Sequence, residues 1–325
     1  MATQANGYKI VFEFPRVIED LLTGFLDEPW LADLDWETLE LVPGDFVTED
    51  FKRRSNDLLW RIYWKGQDRC IYIYLLLEIQ SVVQWHMAVR VAIYELLLYQ
   101  QLIRTDKVKN GEPLPPIFGM VLYTGEARWN AANDIGDLIA PLPGAFPPSH
   151  PRMGYHLFDE KELAARGIPG IRNVASALFR LKQAATAEEA LAIMGELGEW
   201  LKEPEQTDLR LALGEWLRLV LLPLRAPRAK LPVRVDILEA KRTMAEQTID
   251  WSKPFREEGL KEGLKEGRKE GRKEGESAFL IHVLHAKFGT VPRTVRQQIA
   301  SADAMTLLKW GERVLTAERM EEVFE

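Results

Sequence analysis

Two apolar runs separated by a short polar turn dominate the hydrophobic pattern of the chain. The first extends from Asp57 to Trp64 and the second from Cys70 to Ile79, with the turn at residues 65–68 between them. A polar turn containing glycine between two strand-like runs predicts an antiparallel β-hairpin. Residues 71–77 are almost continuously apolar, aromatic or β-branched, which is typical of a central strand covered on both faces.

Carboxylate and amide side chains lie at the ends of these two runs. Glu78 and Gln80 are two residues apart, so they project from the same face of a strand, and Asp57 opens the neighbouring run. A carboxylate that leaves so apolar a strand needs a metal, a cation or a hydrogen-bonding network to offset its desolvation. The pattern therefore favours a site at Asp57, Glu78 and Gln80. The alternative is that Glu78 has simply reached solvent at the strand terminus.

The apolar spacing becomes helical after the hairpin. A period of three to four predicts a helix from Trp85 to Ile103, and another apolar strand follows from Ile117 to Tyr123. Strand, helix and strand in succession predict a right-handed parallel crossover, so the sheet is expected to be mixed. Arg90 and Tyr94 lie one helical turn apart and can both face the strand ends. There Arg90 can pair with a carboxylate or a phosphate, whereas Tyr94 can equally belong to the core.

Helical spacing covers most of the remaining first 250 residues. Glu19 and Asp20 lie on the first predicted helix, and we expect them to face water rather than the site. The predicted helices cover 14–31, 135–139, 160–165, 174–184, 187–202, 207–222 and 237–247.

A repeat with glycine at every fourth residue occupies positions 257–276. Each glycine inside a helix costs about 1 kcal/mol relative to alanine, so an isolated helix here is marginal. The repeat is interpreted as a solvated helical spacer, with self-association through its glycine stripe as the alternative. The predicted organisation is a domain at 1–250, a linker helix at 251–276 and a small helical module at 277–325, which is a second candidate for self-association.

Composition narrows the class of protein. The 325 residues are 46% hydrophobic and carry a formal net charge of −7, which argues against a protein that coats nucleic acid through a general basic excess. Local phosphate contacts stay compatible with that charge. The single cysteine, Cys70, excludes intrachain disulfides and is expected to be a buried small hydrophobe. No run of about twenty uncharged apolar residues and no N-terminal signal is visible, so a cytoplasmic protein is expected.

Several motifs occur in an order that resembles a known group of proteins. They are Ser55 to Leu59, Leu75 to Ser81, Met87 with Arg90 and Tyr94, and Val121 to Gly125 followed by Trp129. In this order they resemble the Rpn group of recombination-promoting nucleases, also called YhgA-like putative transposases, within the PD-(D/E)xK nuclease superfamily. The Lys-Glu-Gly repeat and the C-terminal module are similar to segments in this group as well. The resemblance implies an α/β fold with a restriction-endonuclease-like mixed sheet flanked by helices and a helical C-terminal extension.

The resemblance also implies a chemistry. It implies a Mg²⁺- or Mn²⁺-dependent DNA endonuclease in which Asp57, Glu78 and the Ile79 carbonyl bind the metal. Gln80 stands where the wider superfamily has lysine. An amide cannot act as a general base or carry positive charge, although it can orient water or phosphate. Glutamine is usual in the Rpn group, so this departure does not by itself imply inactivity.

Two other functions stay open from the residues. One is a catalytically weak relative that binds DNA or a protein partner, and the other is a structural or interaction role. DNA affinity without cleavage distinguishes the first from a nuclease, and a stable assembly without either property distinguishes the second.

Overall fold

The computed structural model describes residues 2–43, 57–78, 83–140, 151–168, 172–247 and 251, together with an interrupted set of positions between 280 and 324. The chain divides into two compact units, Met1–Ser252 and Lys253–Glu325. Within the described residues, every helix is too short or too polar to cross a bilayer.

A five-stranded mixed sheet forms the centre of the first unit. The strands lie side by side in chain order. The first three are antiparallel neighbours, whereas β3, β4 and β5 are parallel. The strands are β1 Leu34–Leu41, β2 Leu58–Trp64, β3 Cys70–Glu78, β4 Ile117–Tyr123 and β5 His156–Asp159.

Helices cover both faces of this sheet. The helix between β3 and β4, called α3 here, makes the parallel crossover that the sequence predicts. The helices of the first unit are α1 Ala2–Phe12, α2 Pro15–Phe25, α3 Met87–Arg104, α4 Glu160–Arg166, α5 Val174–Gln183, α6 Ala187–Trp200, α7 Thr207–Trp216, α8 Leu222–Arg225 and α9 Ile237–Ala245. Residues Leu217–Leu221 form a π-helical segment between α7 and α8.

β3 is buried on both faces, as its continuous apolar run predicts. Ile71, Ile73 and Leu75 belong to a large cluster formed with α1, α2 and the helices from α5 to α9. Tyr72, Tyr74 and Leu76 belong to a second cluster under α3. The alternation of a strand thus divides one run between two cores. The predicted fold class is confirmed: the chain is a mixed α/β protein whose sheet and flanking helices agree with a restriction-endonuclease-like fold.

Four elements differ from the sequence-based expectation, and one of them is strand β1, which was not predicted. Helix α1 was not predicted, and the helix predicted for 14–31 ends at Phe25 and is followed by a 3₁₀ turn at Pro29–Asp33. Strand β5 was not predicted either, because it is only four residues long and a proline-rich stretch precedes it. Cys70 is half-buried rather than fully buried, since it occupies the first position of β3.

The expectation that Asp20 is solvated is wrong. The residue is only 5% exposed. One carboxylate oxygen accepts a 2.6 Å hydrogen bond from the Val174 backbone N–H at the first position of α5, and the other lies 3.0 Å from Arg16 Nε. A carboxylate from another helix therefore satisfies a backbone donor that the start of α5 leaves without an intrahelical acceptor.

A buried network of charged and polar side chains lies where the ends of β4 and β5 meet the helices. Glu160 is 1% exposed and accepts hydrogen bonds from Tyr8 Oη and Lys182 Nζ, both at 2.5 Å. Lys182 Nζ also donates to the Thr124 carbonyl, at 3.0 Å, and the guanidinium of Arg225 donates to the Lys182 carbonyl. Burial raises the pKa of Glu160, and the ammonium of Lys182 opposes that shift. The network joins the ends of β4 and β5 to α1, α5 and α8.

The second unit has a small core of its own. Its longest described helix, α10, extends over Ala304–Thr316. The buried side chains include Leu280, Leu284, Trp310 and Val314. The predicted repeat at 257–276 lies outside the described residues. The predicted spacer and its self-association through the repeat, together with the domain division, stay predictions.

We expect Lys182→Met to destabilise the first unit by about 3–5 kcal/mol, because the change leaves the Glu160 carboxylate buried without its cation. Urea unfolding followed by tryptophan fluorescence measures the loss. Lys161→Met is the matched control, since Lys161 forms a largely exposed pair with Glu126 at 3.1 Å and is expected to cost less than about 1 kcal/mol. Equal small losses in the two variants would show that the buried pair contributes no more than a surface pair.

Candidate functional site

Asp57 lies directly before β2 and is largely buried. Its side chain is 9% exposed. The hydroxyl of Tyr74, in the middle of β3, donates a 2.8 Å hydrogen bond to Asp57 Oδ2. A strand residue of the same hairpin thus fixes the orientation of this carboxylate.

Tyr74 is suited to act as a permanent donor. It is 1% exposed, and its ring lies 5.5 Å from the ring of Tyr94 on α3. Burial raises the pKa of Tyr74 well above its ordinary value, and the negative charge of Asp57 raises it further. The hydroxyl therefore keeps its proton and donates to Asp57 across the physiological pH range.

The backbone of Glu78 ends β3 at the same end of the hairpin as Asp57. Leu58 pairs with Leu75 in the antiparallel register, so Asp57 precedes β2 at the level at which β3 approaches its last residues. Glu78 pairs with Tyr123 of β4, and its position has the same parity as Tyr74. The structure thus brings the Asp57 and Glu78 positions to one edge of the sheet, as the hairpin pattern predicts.

The predicted ligand Ile79 and the predicted catalytic residue Gln80 lie outside the described residues, as does the side chain of Glu78. Their roles stay predictions. Elsewhere, the described residues contain no cluster of three or more His, Cys, Asp or Glu side chains that could hold a metal ion. The donor set implied at this edge, two carboxylates and a backbone carbonyl, consists of hard oxygens that suit Mg²⁺ or Mn²⁺. The buried carboxylate of Asp57 is the described member of that set.

Tyr94 contacts Tyr74 from α3, and the charge of Arg90 on the same helix acts on Tyr74. Arg90 is half-buried, its Nη1 lies 3.5 Å from Gln84 Oε1, and its positive charge lowers the pKa of Tyr74 against the larger effect of burial. Tyr94 is 4% exposed and packs on the Tyr74 ring. Arg90 is therefore close to the carboxylate edge, whereas Tyr94 supports Tyr74 from within the core.

The aromatic element after β4 also closes this side of the sheet. The rings of Tyr123 and Trp129 meet edge to face with centroids 4.9 Å apart, and the Tyr123 hydroxyl donates to the Ala127 carbonyl at 2.7 Å. Trp129 meets Tyr155 in the same way. These side chains pack the second core cluster next to the end of β4.

Glu95 is a buried carboxylate that the sequence analysis missed. It is 7% exposed on the inner face of α3, and burial raises its pKa from 4.5 to about 7. Its Oε1 atom has no hydrogen-bond partner among the residues that the structure describes, and a Cβ atom at Gly119 of β4 would lie 2.3 Å from it. Helical spacing could have found it, because Glu95 follows Val91 by four residues and precedes Leu98 by three.

These features define the class of the protein. It is a mixed α/β protein in which a hairpin and a parallel crossover place carboxylate positions at one edge of the sheet. The profile of the family described as "Putative transposase, YhgA-like" matches residues 7–211, which is more than half of the chain. The chain belongs to this family. No solved structure matches it significantly.

Two curated relatives are recombination-promoting nucleases by name. The chain is similar to recombination-promoting nuclease RpnD of Escherichia coli O157:H7, with 36% identity over 118 residues, which are 36% of this chain and 44% of the relative. It is also similar to recombination-promoting nuclease RpnA of Escherichia coli strain K12, with 27% identity over 118 residues, which are 38% of that relative. The chain thus spans less than half the length of either relative.

The buried carboxyl of Glu95 makes stability depend on pH. As pH rises from about 4.5 to 7, the unfolded state loses the Glu95 proton while the folded state still holds it. The free energy of unfolding therefore falls over this range. The difference in free energy of unfolding between Glu95→Gln and the wild type is therefore expected to shift by about 1–3 kcal/mol in favour of the variant between pH 5 and pH 8. Urea unfolding at the two pH values measures this change.

Glu199→Gln, at an exposed position on α6, is the control for the same chemical change. Its difference from the wild type is expected to stay constant between the two pH values. If Glu95→Gln behaves in the same way as this control, the pKa of Glu95 is not raised.

Proposed function

We propose that this protein is a Mg²⁺- or Mn²⁺-dependent DNA endonuclease that acts in recombination or in the movement of mobile elements. The observation that carries the proposal is the Asp57 carboxylate, which Tyr74 orients at the edge of the sheet where β3 ends in Glu78. Family membership and the names of the two curated relatives support it. DNA as substrate and a cytoplasmic location are parts of the same proposal.

Each residue of the site has a distinct role in this proposal. Asp57, Glu78 and the Ile79 carbonyl would hold the metal, which would supply polarisation of the scissile phosphate and a lowered pKa for a water molecule. Gln80 orients water or a phosphate oxygen through its amide, and Arg90 contributes positive charge for the phosphate. Tyr74 keeps the Asp57 carboxylate in one orientation, which reduces the reorganisation needed on binding the metal.

The net charge of the chain places a condition on DNA binding. With a formal charge of −7, long-range attraction to DNA is weak, so contacts at the site itself have to supply the affinity. A divalent cation held by the two carboxylates would neutralise their charge, which otherwise repels a phosphate. DNA binding is therefore expected to depend on the metal more strongly than it does in a basic protein.

Plasmid cleavage tests the proposal. The wild-type chain is expected to cleave plasmid DNA with Mg²⁺ or Mn²⁺ and not after chelation, and Asp57→Ala and Glu78→Ala are each expected to abolish cleavage. Asp68→Ala, in the exposed turn of the same hairpin, is the control and should cleave as the wild type does. Cleavage that survives in both site variants would show that the assigned residues are wrong.

Tyr74→Phe tests the positioning of Asp57. Loss of the 2.8 Å hydrogen bond is expected to weaken metal activation by about 10–100-fold, with part of the rate restored at higher metal concentration. Tyr72→Phe is the matched control, because Tyr72 lies two residues away on the same face of β3, where its hydroxyl interacts with Arg61 instead. Equal metal dependence in the two variants would contradict the role given to Tyr74.

Gln80 is the observation that favours a second candidate function. An amide in the position of the superfamily's lysine supplies neither a base nor a charge. A catalytically weak protein that binds DNA is therefore the alternative, and it predicts DNA affinity in the presence of metal without cleavage.

A further inference from the structure

The outer face of α3 carries apolar side chains in place of charged ones. Four positions before the last residue of this helix are exposed, and they hold Ile93, Leu96, Gln100 and Ile103. The three aliphatic side chains are 50%, 55% and 53% exposed. In a chain with 28% charged residues, an exposed helical face without charge until Arg104 is unusual and indicates a covered surface.

Glu95, the acidic residue of α3, lies on the buried face of the helix, whereas a solvated helix would expose it. Glu95 is 7% exposed against the sheet, while Leu96 beside it is 55% exposed. A surface helix ordinarily directs its carboxylates outward and its leucines inward. Because solvent does not explain the apolar outer face of α3, contact with another molecule is the physical alternative.

The spacing of the exposed residues identifies a helix as the complementary shape. Half-buried Val89 continues the line, and the steps between Val89, Ile93, Leu96, Gln100 and Ile103 are four, three, four and three residues. This spacing is the a and d pattern of a coiled-coil seam. The five residues, called the α3 stripe here, extend over about 21 Å of helix.

The chemistry of the stripe argues against nucleic acid and against a lipid surface. Both would favour basic residues around the apolar line, and the first charged residue on the exposed face is Arg104 at its end. A charged protein partner would likewise find no opposite charge. A second copy of the same helix meets both requirements, since it presents an uncharged line with identical spacing.

We infer that the α3 stripe pairs with the α3 stripe of a second copy of this chain to form a two-fold symmetric dimer. An isologous contact uses the same patch on both subunits, and a seam that is complementary to itself satisfies that condition. Gln100 is the single polar member, and a polar residue in an otherwise apolar seam selects one register at some cost in stability. The two-heptad length makes the interface small, so the dimer forms with rising protein concentration.

Molar mass in solution tests this inference with the full chain. The wild type is expected to approach twice its monomer mass of 37.3 kDa with rising concentration in sedimentation or light-scattering measurements. Leu96→Glu is expected to halve that mass, because it places two carboxylates in the seam. Val233→Glu introduces the same charge at an apolar residue that is 81% exposed outside α3, and it is expected to stay dimeric.

A cysteine variant keeps the inference falsifiable if Leu96→Glu fails to fold. Leu96→Cys is expected to form an intermolecular disulfide under mild oxidation, whereas the wild type, with half-buried Cys70 alone, is expected to form none. A wild type that stays monomeric at every concentration overturns the inference. Coverage of the α3 stripe by C-terminal residues of the same chain would give this monomeric result. A dimer that persists in Leu96→Glu also overturns it and places the contact elsewhere, for instance at the Gly repeat.

Discussion

Burial of β3 on both faces is the constraint on which the first unit depends. Every side chain from Ile71 to Leu76 is at most 5% exposed, so neither face of this strand can be left to solvent. One face requires the helical layer around α1 and α5, and the other requires α3. A strand covered in this way needs neighbours on both edges for its backbone groups, and β2 and β4 supply them. Strand β3 therefore lies inside the sheet and not at its margin.

Because the middle of β3 is buried, polar residues lie at the ends of the strands, along one edge of the sheet. Because β2 runs antiparallel to the parallel strands β3 to β5, its start lies at the edge where those strands end. Each strand from β2 to β5 has one polar residue at this edge. These residues are, in order, Asp57, Glu78, Thr124 and Glu160. Lys182 links the last two through hydrogen bonds to the Thr124 carbonyl and the Glu160 carboxylate. The buried Lys182–Glu160 pair thus connects the ends of β4 and β5. The candidate site lies beside it, at the start of β2 and the end of β3.

The elements that could be predicted from the sequence are those whose local pattern agrees with their environment. The β2–β3 hairpin and the α3 crossover have long apolar runs, a polar turn and a clear change of period, and both are present as expected. Strand β5 has four residues and too little pattern to predict. The burial of Asp20 depends on a partner that is distant in sequence, Val174, which a local reading of helical faces does not include. The buried position of Glu95, in contrast, agrees with its helical spacing from Val91 and Leu98. In the site, the hairpin pattern indicated that Asp57 and Glu78 lie at the same end of the two strands, whereas the hydrogen bond from Tyr74 required the register between strands.

Helix α3 connects the candidate site with the outer surface of the unit. Its inner face packs Tyr94 against Tyr74 and places the charge of Arg90 near enough to act on Tyr74. Buried residues from Met87 to Leu102 fix that face along the whole helix. Its outer face carries the α3 stripe. Since side chains on opposite faces of a helix do not compete for the same space, a contact on the stripe adds interactions without displacing those around Tyr74. Pairing through the stripe would therefore restrain the helix that supports the site, while the orientation of Asp57 would still be set within each chain by its own Tyr74.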